Sequence, residues 1–335
     1  MREYRVAILG ATGAVGREMM KILEEREFPI SELRLLASAR SAGLRLPFRG
    51  EEVAIVEATP QAFAGCDIVL GAVENDVAEQ LLPHAVAQGA VVIDNSSAYR
   101  LDPEVPLVVP EVNPQDIAWH KGLIANPNCT TIITATAVSG IHRLSPIQKM
   151  VASTYQAVSG AGVGGMRELE QQVAARFKGE EISCATFPYQ IAYNLIPQIG
   201  SFDAQGYSSE EMKLQNEGRK ILHADQMRVT CTCVRVPVLR SHSVSVSIET
   251  QQPLSLEQVR DAVAQSPGCL LVDDPANKRY PMPLDTTDQD LVYVGRIRRD
   301  LTRDTGGIAL WCCGDQIRKG AATNAVQIAQ LVIAQ

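Results

Sequence analysis

The stretch "YRVAILGATGAVGREMMKILEE" (4–25) decides the fold of the first part of this chain. "YRVAILG" (4–10) reads as a short buried strand. "AVGREMMKILEE" (14–25) reads as a helix with Val15, Met19, Ile22 and Leu23 on one face. The two meet in "GATGAVG", Gly10-Ala11-Thr12-Gly13-Ala14-Val15-Gly16. Glycines at such a junction let the backbone turn tightly and approach a pyrophosphate, which then sits at the positive end of the helix. A tight turn with no ligand is the competing reading.

Working outward, the same rhythm continues through "LRLLAS" (33–38), "DIVLGAV" (67–73), a helix through "AEQLLPHAVAQ", and "AVVIDNSS" (90–97). Strands alternating with helices predict a doubly wound parallel sheet of the Rossmann type. From about residue 148 the pattern changes to long β segments: "KMVASTYQAVSG", "MRVTCTCVRVPV", "SHSVSVSIET", "DLVYVGRIR" and "GIALWCC". These predict a second, α+β domain on a largely antiparallel or mixed sheet. The last helix, "KGAATNAVQIAQLVIA" (319–334), is amphipathic and is expected to pack back on the first domain. The expected division is residues 1–127 completed by 315–335, and residues 128–314.

Composition narrows the function classes. The 335 residues are 46% hydrophobic and 21% charged, with mean hydropathy near zero, enough for two cores of ordinary size. A net charge of -7 and a pI near 5.4 argue against nucleic acid or an anionic membrane as partner. No apolar run has the length of a spanning helix. The chain enters its strand pattern with no leader, so a cytoplasmic protein is expected.

The end of the second strand is where such a fold meets the adenine ribose, and an Asp or Glu there marks a cofactor without a 2′-phosphate. Here "ASARSAG" offers Ser38, Arg40 and Ser41 and no acid. A guanidinium flanked by hydroxyls suits a phosphate dianion, so NADP is favoured over NAD.

Eight cysteines are present, with no zinc-ligand spacing among them and no metal expected. "CTC" (231–233) and "CC" (312–313) lie in apolar company and read as reduced core thiols. Cys129 stands apart, in "ANPNCTTIITATAV" (125–138). Pro127 restricts the chain before it, and the run from Thr130 to Ile141 looks helical. A thiol at a helix N-terminus is shifted toward thiolate. Beside a dinucleotide fold, that implies addition to an aldehyde, loss of hydride and a thioester.

At this point the chain resembles the aspartate-semialdehyde dehydrogenase family. The resemblance runs from end to end through "GATGAVG", "ASARSAG", "DNSSAYRLDPEVPLVVPEVNP", "NPNCTT", "YQAVSGAG", "FPYQIAYNLIPQIGSF", "EEMKLQNEGRKI", "RVPVLRSHS" and "GDQIRKGAATNAVQIA". It implies NADP-dependent, phosphate-consuming oxidation of L-aspartate 4-semialdehyde to L-4-aspartyl phosphate and the reverse reduction, in a homodimer built on the second domain's sheet. It further implies a place in lysine, threonine, methionine and diaminopimelate synthesis.

The resemblance also assigns roles. Cys129 matches the nucleophile, and His242 in "RSHS" the acid/base that takes the thiol proton and manages the hemithioacetal oxygen. Arg235 matches the residue that grips the substrate α-carboxylate, Gln156 the one that positions substrate, and Glu210 the acid that meets the ammonium. Arg100 and Lys213 match phosphate ligands. Gly10, Thr12, Gly13, Ala14, Val15, Gly16, Ser38, Arg40, Ser41, Ser159, Gly160 and Gln316 are the cofactor-binding candidates. The departures are Thr130, where the family often has serine, and Ser241, where it often has glycine. A related reductase of N-acetyl-γ-glutamyl phosphate and a non-catalytic NADP-binding protein are the rival readings. Glu210 counts against the first, and Cys129, His242, Arg235 and Gln156 together count against the second.

Overall fold

A computed structural model describes residues 2–303 and 306–334. Two compact units divide the chain: one runs up to Asn128 and resumes at Ala321, and the other is Cys129–Gly320.

In the first unit the elements are β1 (Tyr4–Leu9), α1 (Ala14–Glu25), β2 (Ile30–Ala37), β3 (Arg45–Phe48), β4 (Glu51–Glu57), β5 (Ile68–Gly71), α2 (Asn75–Ala87), β6 (Val91–Asp94) and β7 (Leu123–Ala125). The sheet order is β3-β4-β2-β1-β5-β6-β7. Every pairing is parallel except the β3–β4 hairpin. β1 lies between β2 and β5, so the chain winds to one side and then the other, and the loop after β1 opens where the winding reverses. Strands buried on both faces explain the unbroken apolar runs of β1 and β5, and Met19, Ile22 and Leu23 of α1 cover one of those faces.

The last helix, Thr323–Ile333, places Ala325, Val326, Ile328 and Ala329 in this same core. It does not begin at residue 319. Residues Arg318–Ala322 wind as a π-helical turn. Asp315 accepts the backbone N–H of Ile317 and Arg318 on its side chain and that of Gly320, five residues on, at its carbonyl, so the turn is wider than a continuous α-helix would be.

The second unit begins with α3 (Cys129–Leu144), followed by β8 (Ile147–Gln156), α4 (Gly162–Lys178), α5 (Ser209–Ile221), β9 (Arg228–Arg235) and β10 (His242–Thr250). α6 (Leu256–Ala264), β11 (Cys269–Leu271), β12 (Val292–Arg299) and β13 (Gly307–Gly314) complete it. Its sheet runs β11-β12-β13-β10-β8-β9 and is mixed, as expected. β8 runs parallel to β9, whereas β10 is antiparallel to both β8 and β13. Alternation sets the faces: Met150, Ala152, Val244, Val246 and Ile248 are buried, while Val151 and Tyr155 on the opposite face are exposed. The Tyr155 and Trp311 rings meet on that open face, 5.3 Å between centroids. None of the eight cysteines is in a disulfide among the described residues, and Cys231, Cys233, Cys312 and Cys313 are buried as the sequence implied. No helix among the described residues is long and apolar enough to cross a membrane.

Candidate active site

In the first unit the glycine loop is shaped by two close approaches. Gly10 has φ +90°, and a Cβ there would lie 2.2 Å from the Ala72 carbonyl oxygen, so only glycine fits. A Cβ on Gly16 would lie 2.3 Å from the Gly10 oxygen, which lets α1 start directly over the end of β1. Gly13 precedes α1 without any side-chain cap, leaving Ala14, Val15 and Gly16 to open the helix beside Thr12. Such a terminus is suited to phosphate oxygens. Ser38, Arg40 and Ser41 fall at the C-terminal end of β2, Ser38 opening the short turn Ala39–Ser41. Ser38 and Arg40 are exposed, and Arg40 makes no hydrogen bond or ion pair among the described residues. The residues present therefore fit a dinucleotide, its phosphates at the start of α1.

In the second unit the sheet register gathers the polar side chains at one edge. Gln156 ends β8 and pairs with Arg235 at the end of the parallel strand β9. His242 opens the antiparallel strand β10 beside them. Gln156 is a hub: its Oε1 accepts from Thr154 Oγ1 at 2.9 Å, and its Nε2 donates to Glu210 Oε1 at 3.1 Å. The other Glu210 oxygen accepts from Lys213 Nζ at 3.1 Å, one turn along α5. The helix start that presents Glu210 is fixed by a capping box between Ser208 and Glu211.

Arg235 is buried, donates through Nη1 to the Ala157 carbonyl at 2.7 Å, and lies 5.9 Å above the Phe187 ring. Burial lowers its pKa, while Glu210 and Cys129 push it back up. His242 is fully buried, and burial reinforced by the Arg235 charge holds its pKa down to about 3. The ring is therefore neutral in ordinary buffers. The Ala157 N–H donates to His242 Nδ1 at 3.1 Å, which assigns the ring proton to Nε2, the nitrogen 3.4 Å from Gln156 Nε2. Cys129 is the first residue of α3 and partly exposed. The turn before the last helix passes so close that a Cβ on Gly320 would lie 2.9 Å from Cys129 Cβ.

Three candidates expected at the cofactor have partners inside the second unit. Gln316 accepts the Ser241 N–H at 2.8 Å and donates to Ser159 Oγ. Gly160 sits under Arg235, where a Cβ would come within 2.5 Å of Nη1. Ser241 itself has φ +75°, a conformation that favours glycine, and its hydroxyl meets Thr287 Oγ1 at 3.2 Å.

Comparison with known proteins decides the family. A model described as semialdehyde dehydrogenase, NAD binding domain, matches residues 5–120, and one described as semialdehyde dehydrogenase, dimerisation domain, matches residues 138–319. An aspartate-semialdehyde dehydrogenase from Synechocystis sp. is 49% identical, covering 98% of this chain and 97% of its own length. The chain belongs to the aspartate-semialdehyde dehydrogenase family. The Aquifex aeolicus member is 48% identical, with 98% of each chain covered. The crystal structure of aspartate semialdehyde dehydrogenase II complexed with ASA from Vibrio cholerae superposes with a TM-score of 0.97 at 43% identity, covering 100% of this chain and 99% of that one. The Candida albicans aspartate semialdehyde dehydrogenase structure with NADP gives a TM-score of 0.78 at 26% identity, with 99% of each chain covered.

In this member of the aspartate-semialdehyde dehydrogenase family, the two phosphate candidates lie in different units. Arg100 is buried in the first, where Nε donates to the Asn126 carbonyl at 3.0 Å and Nη2 to that of Asn95 at 2.6 Å. Lys213 in the second forms the ion pair with Glu210. Sequence reading did not find Thr154, Ala157, Phe187 or Gly320. Of these only Thr154, two residues before Gln156 on the same strand face, left a signal in spacing.

Proposed function

We propose that the protein catalyses the NADP-dependent, reversible, phosphorylating oxidation of L-aspartate 4-semialdehyde to L-4-aspartyl phosphate. The single observation that supports it most is the edge cluster of Gln156, Glu210, Arg235 and His242, electrostatically coupled to a cysteine that opens a helix. Arg235 takes the substrate carboxylate in its planar fork. Glu210, its oxygens already oriented by Gln156 and Lys213, takes the ammonium, and Gln156 holds the aldehyde at Cys129.

The Cys129 thiolate adds to the carbonyl carbon; hydride leaves that carbon and the thioester forms. Phosphate then attacks the thioester carbon and expels the thiolate; Lys213 in the second unit and Arg100 in the first are its candidate ligands by the family resemblance. NADP would supply the hydride acceptor, or the donor in reverse; Gly10, Thr12, Gly13, Ala14, Val15, Gly16, Ser38, Arg40 and Ser41 of the first unit would hold it, while Ser159, Gly160 and Gln316 of the second are cofactor candidates by the family resemblance. Taking the thiol proton would require a bare Nε2 on His242. Meeting the carbonyl oxygen requires Nε2–H, the form in which the Ala157 amide holds the ring, so His242 is given that task. The active species is a cytoplasmic homodimer paired through the open face of the second unit's sheet. Its product feeds lysine, threonine, methionine and diaminopimelate synthesis.

The test is NADPH formation from aspartate semialdehyde and phosphate, with N-acetylglutamate semialdehyde as the competing substrate. Turnover of the first alone, with Cys129→Ala at least a thousandfold slower, supports the reading. A Cys129→Ala variant keeping a tenth of the activity would end the covalent scheme.

A further inference from the structure

Between α4 and α5 the chain runs from residue 179 to 208 with no helix and no strand beyond isolated bridges. Such a stretch has few backbone partners of its own. Two side chains of α4 supply them. Glu168, buried, takes three consecutive backbone N–H groups: Ala185 at 3.0 Å and Thr186 on Oε2, and Phe187 at 3.4 Å on Oε1. One turn along, buried Gln172 accepts from Ile191 and Ala192 at 2.9 and 3.0 Å and donates to the Ser183 carbonyl at 3.0 Å. Gln172 also donates to Glu168 Oε1 at 3.1 Å, so the two act as one clamp.

What the clamp holds leads to Arg235. Phe187, the third residue of the Glu168 turn, lies under the guanidinium. Its ring is packed with Val158, Leu169, Ile191, Ala192 and Ile196. Ile196 exchanges two backbone hydrogen bonds with Arg235, at 3.0 and 2.9 Å. The segment therefore touches Arg235 twice, once beneath its charge and once along its backbone. Burial raises the Glu168 carboxyl pKa, but the Thr186, Ala185 and Phe187 amides lower it by more, so it lies below the ordinary carboxylate value.

We propose that Glu168 is a positioning residue for substrate binding: by fixing the 185–187 turn it sets Phe187 beneath Arg235 and so the angle of the fork. This rests on Arg235 gripping the substrate carboxylate, as proposed above.

The experiment compares Glu168→Gln, Phe187→Leu and Arg235→Lys in the full-length enzyme, by steady-state kinetics and by hydrogen exchange. Glu168→Gln keeps the shape and removes the charge that three amides share. It should raise KM for aspartate semialdehyde by about tenfold or more, with kcat, phosphate KM and NADP KM within about twofold. The 185–187 amides should exchange at least about tenfold faster. Phe187→Leu should raise the same KM without speeding that exchange, and the double variant should cost less than the product of the two. Faster exchange in Glu168→Gln with an unchanged substrate KM would make the clamp purely structural and overturn the proposal. An unchanged KM in Arg235→Lys would remove the grip itself. A raised KM in Glu168→Gln beside that result would then disprove the route through Arg235.

Discussion

His242 is a histidine that does not behave like one in water. Folded, it is neutral down to about pH 3; unfolded, it takes a proton below about 6.5. Between those values the unfolded chain binds one proton more, so stability must fall as pH drops through this window. The contribution is whole above pH 6.5 and drains away below it. Removing the ring in His242→Gln should flatten the pH dependence of unfolding free energy between pH 4 and 6 by up to about 1.4 kcal/mol per pH unit. Denaturant melts at four pH values would show it, and parallel slopes for the two proteins would refute it. Arg40 is the opposite case, an exposed cation with no partner among the described residues. Arg40→Ala should weaken NADPH by about tenfold to a hundredfold, the worth of a charge-assisted bond, and leave NADH almost untouched. Equal weakening of both cofactors would remove the 2′-phosphate from its duties.

At the level of elements, the parts most legible in the sequence were those whose hydrophobic period is long and unbroken. β1, α1, α3 and the long strands of the second unit lie within a few residues of where their patterns put them. The β3–β4 hairpin escaped because its edge position leaves Arg45, Pro47, Glu51 and Glu52 exposed and only Leu46, Phe48 and Ile55 buried. α4 escaped because Gly162, Gly164 and Gly165 crowd its start, a composition that argues against helix. The candidate site was readable wherever a residue type itself carries chemistry: cysteine, histidine, arginine, carboxylate. It was not readable where a backbone amide does the task, as Ala157 does for His242, or where a side chain serves irregular backbone, as Glu168 and Gln172 do. Neither leaves a spacing in sequence. The S-x-x-E box of Ser208 and Glu211 that starts α5 went unread, although its spacing is present in the sequence. Ser208→Ala should cost about 1 kcal/mol of stability and disturb Glu210 two residues on, raising KM for the amino aldehyde more than for phosphate. A change in melting temperature with both constants unmoved would separate the cap from the site.

On the scale of the whole molecule, the open face that carries exposed Val151 and Tyr155 beside half-buried Trp311 predicts self-association. Tyr155→Glu should shift a dimer to monomer in sedimentation, and an unaltered dimer would place the pairing surface elsewhere. The path of the chain has another outcome. The first unit is interrupted after Asn128 and resumes at Ala321, yet its own ends are neighbours: Asn126 Nδ2 reaches the Ala321 carbonyl at 3.3 Å and the Asn324 amide meets Asn126 Oδ1 at 2.6 Å. The second unit's ends, Cys129 and Gly320, also touch. In the language of gene architecture, the second unit is an insert whose two ends fit a single cut in its host. Joining Asn128 to Ala321 by a few glycines should yield a small monomeric protein that still binds NADPH by fluorescence titration but has no dehydrogenase activity. The insert, free of its host, becomes a cassette open to circular permutation at any exposed loop, because its natural ends already lie side by side.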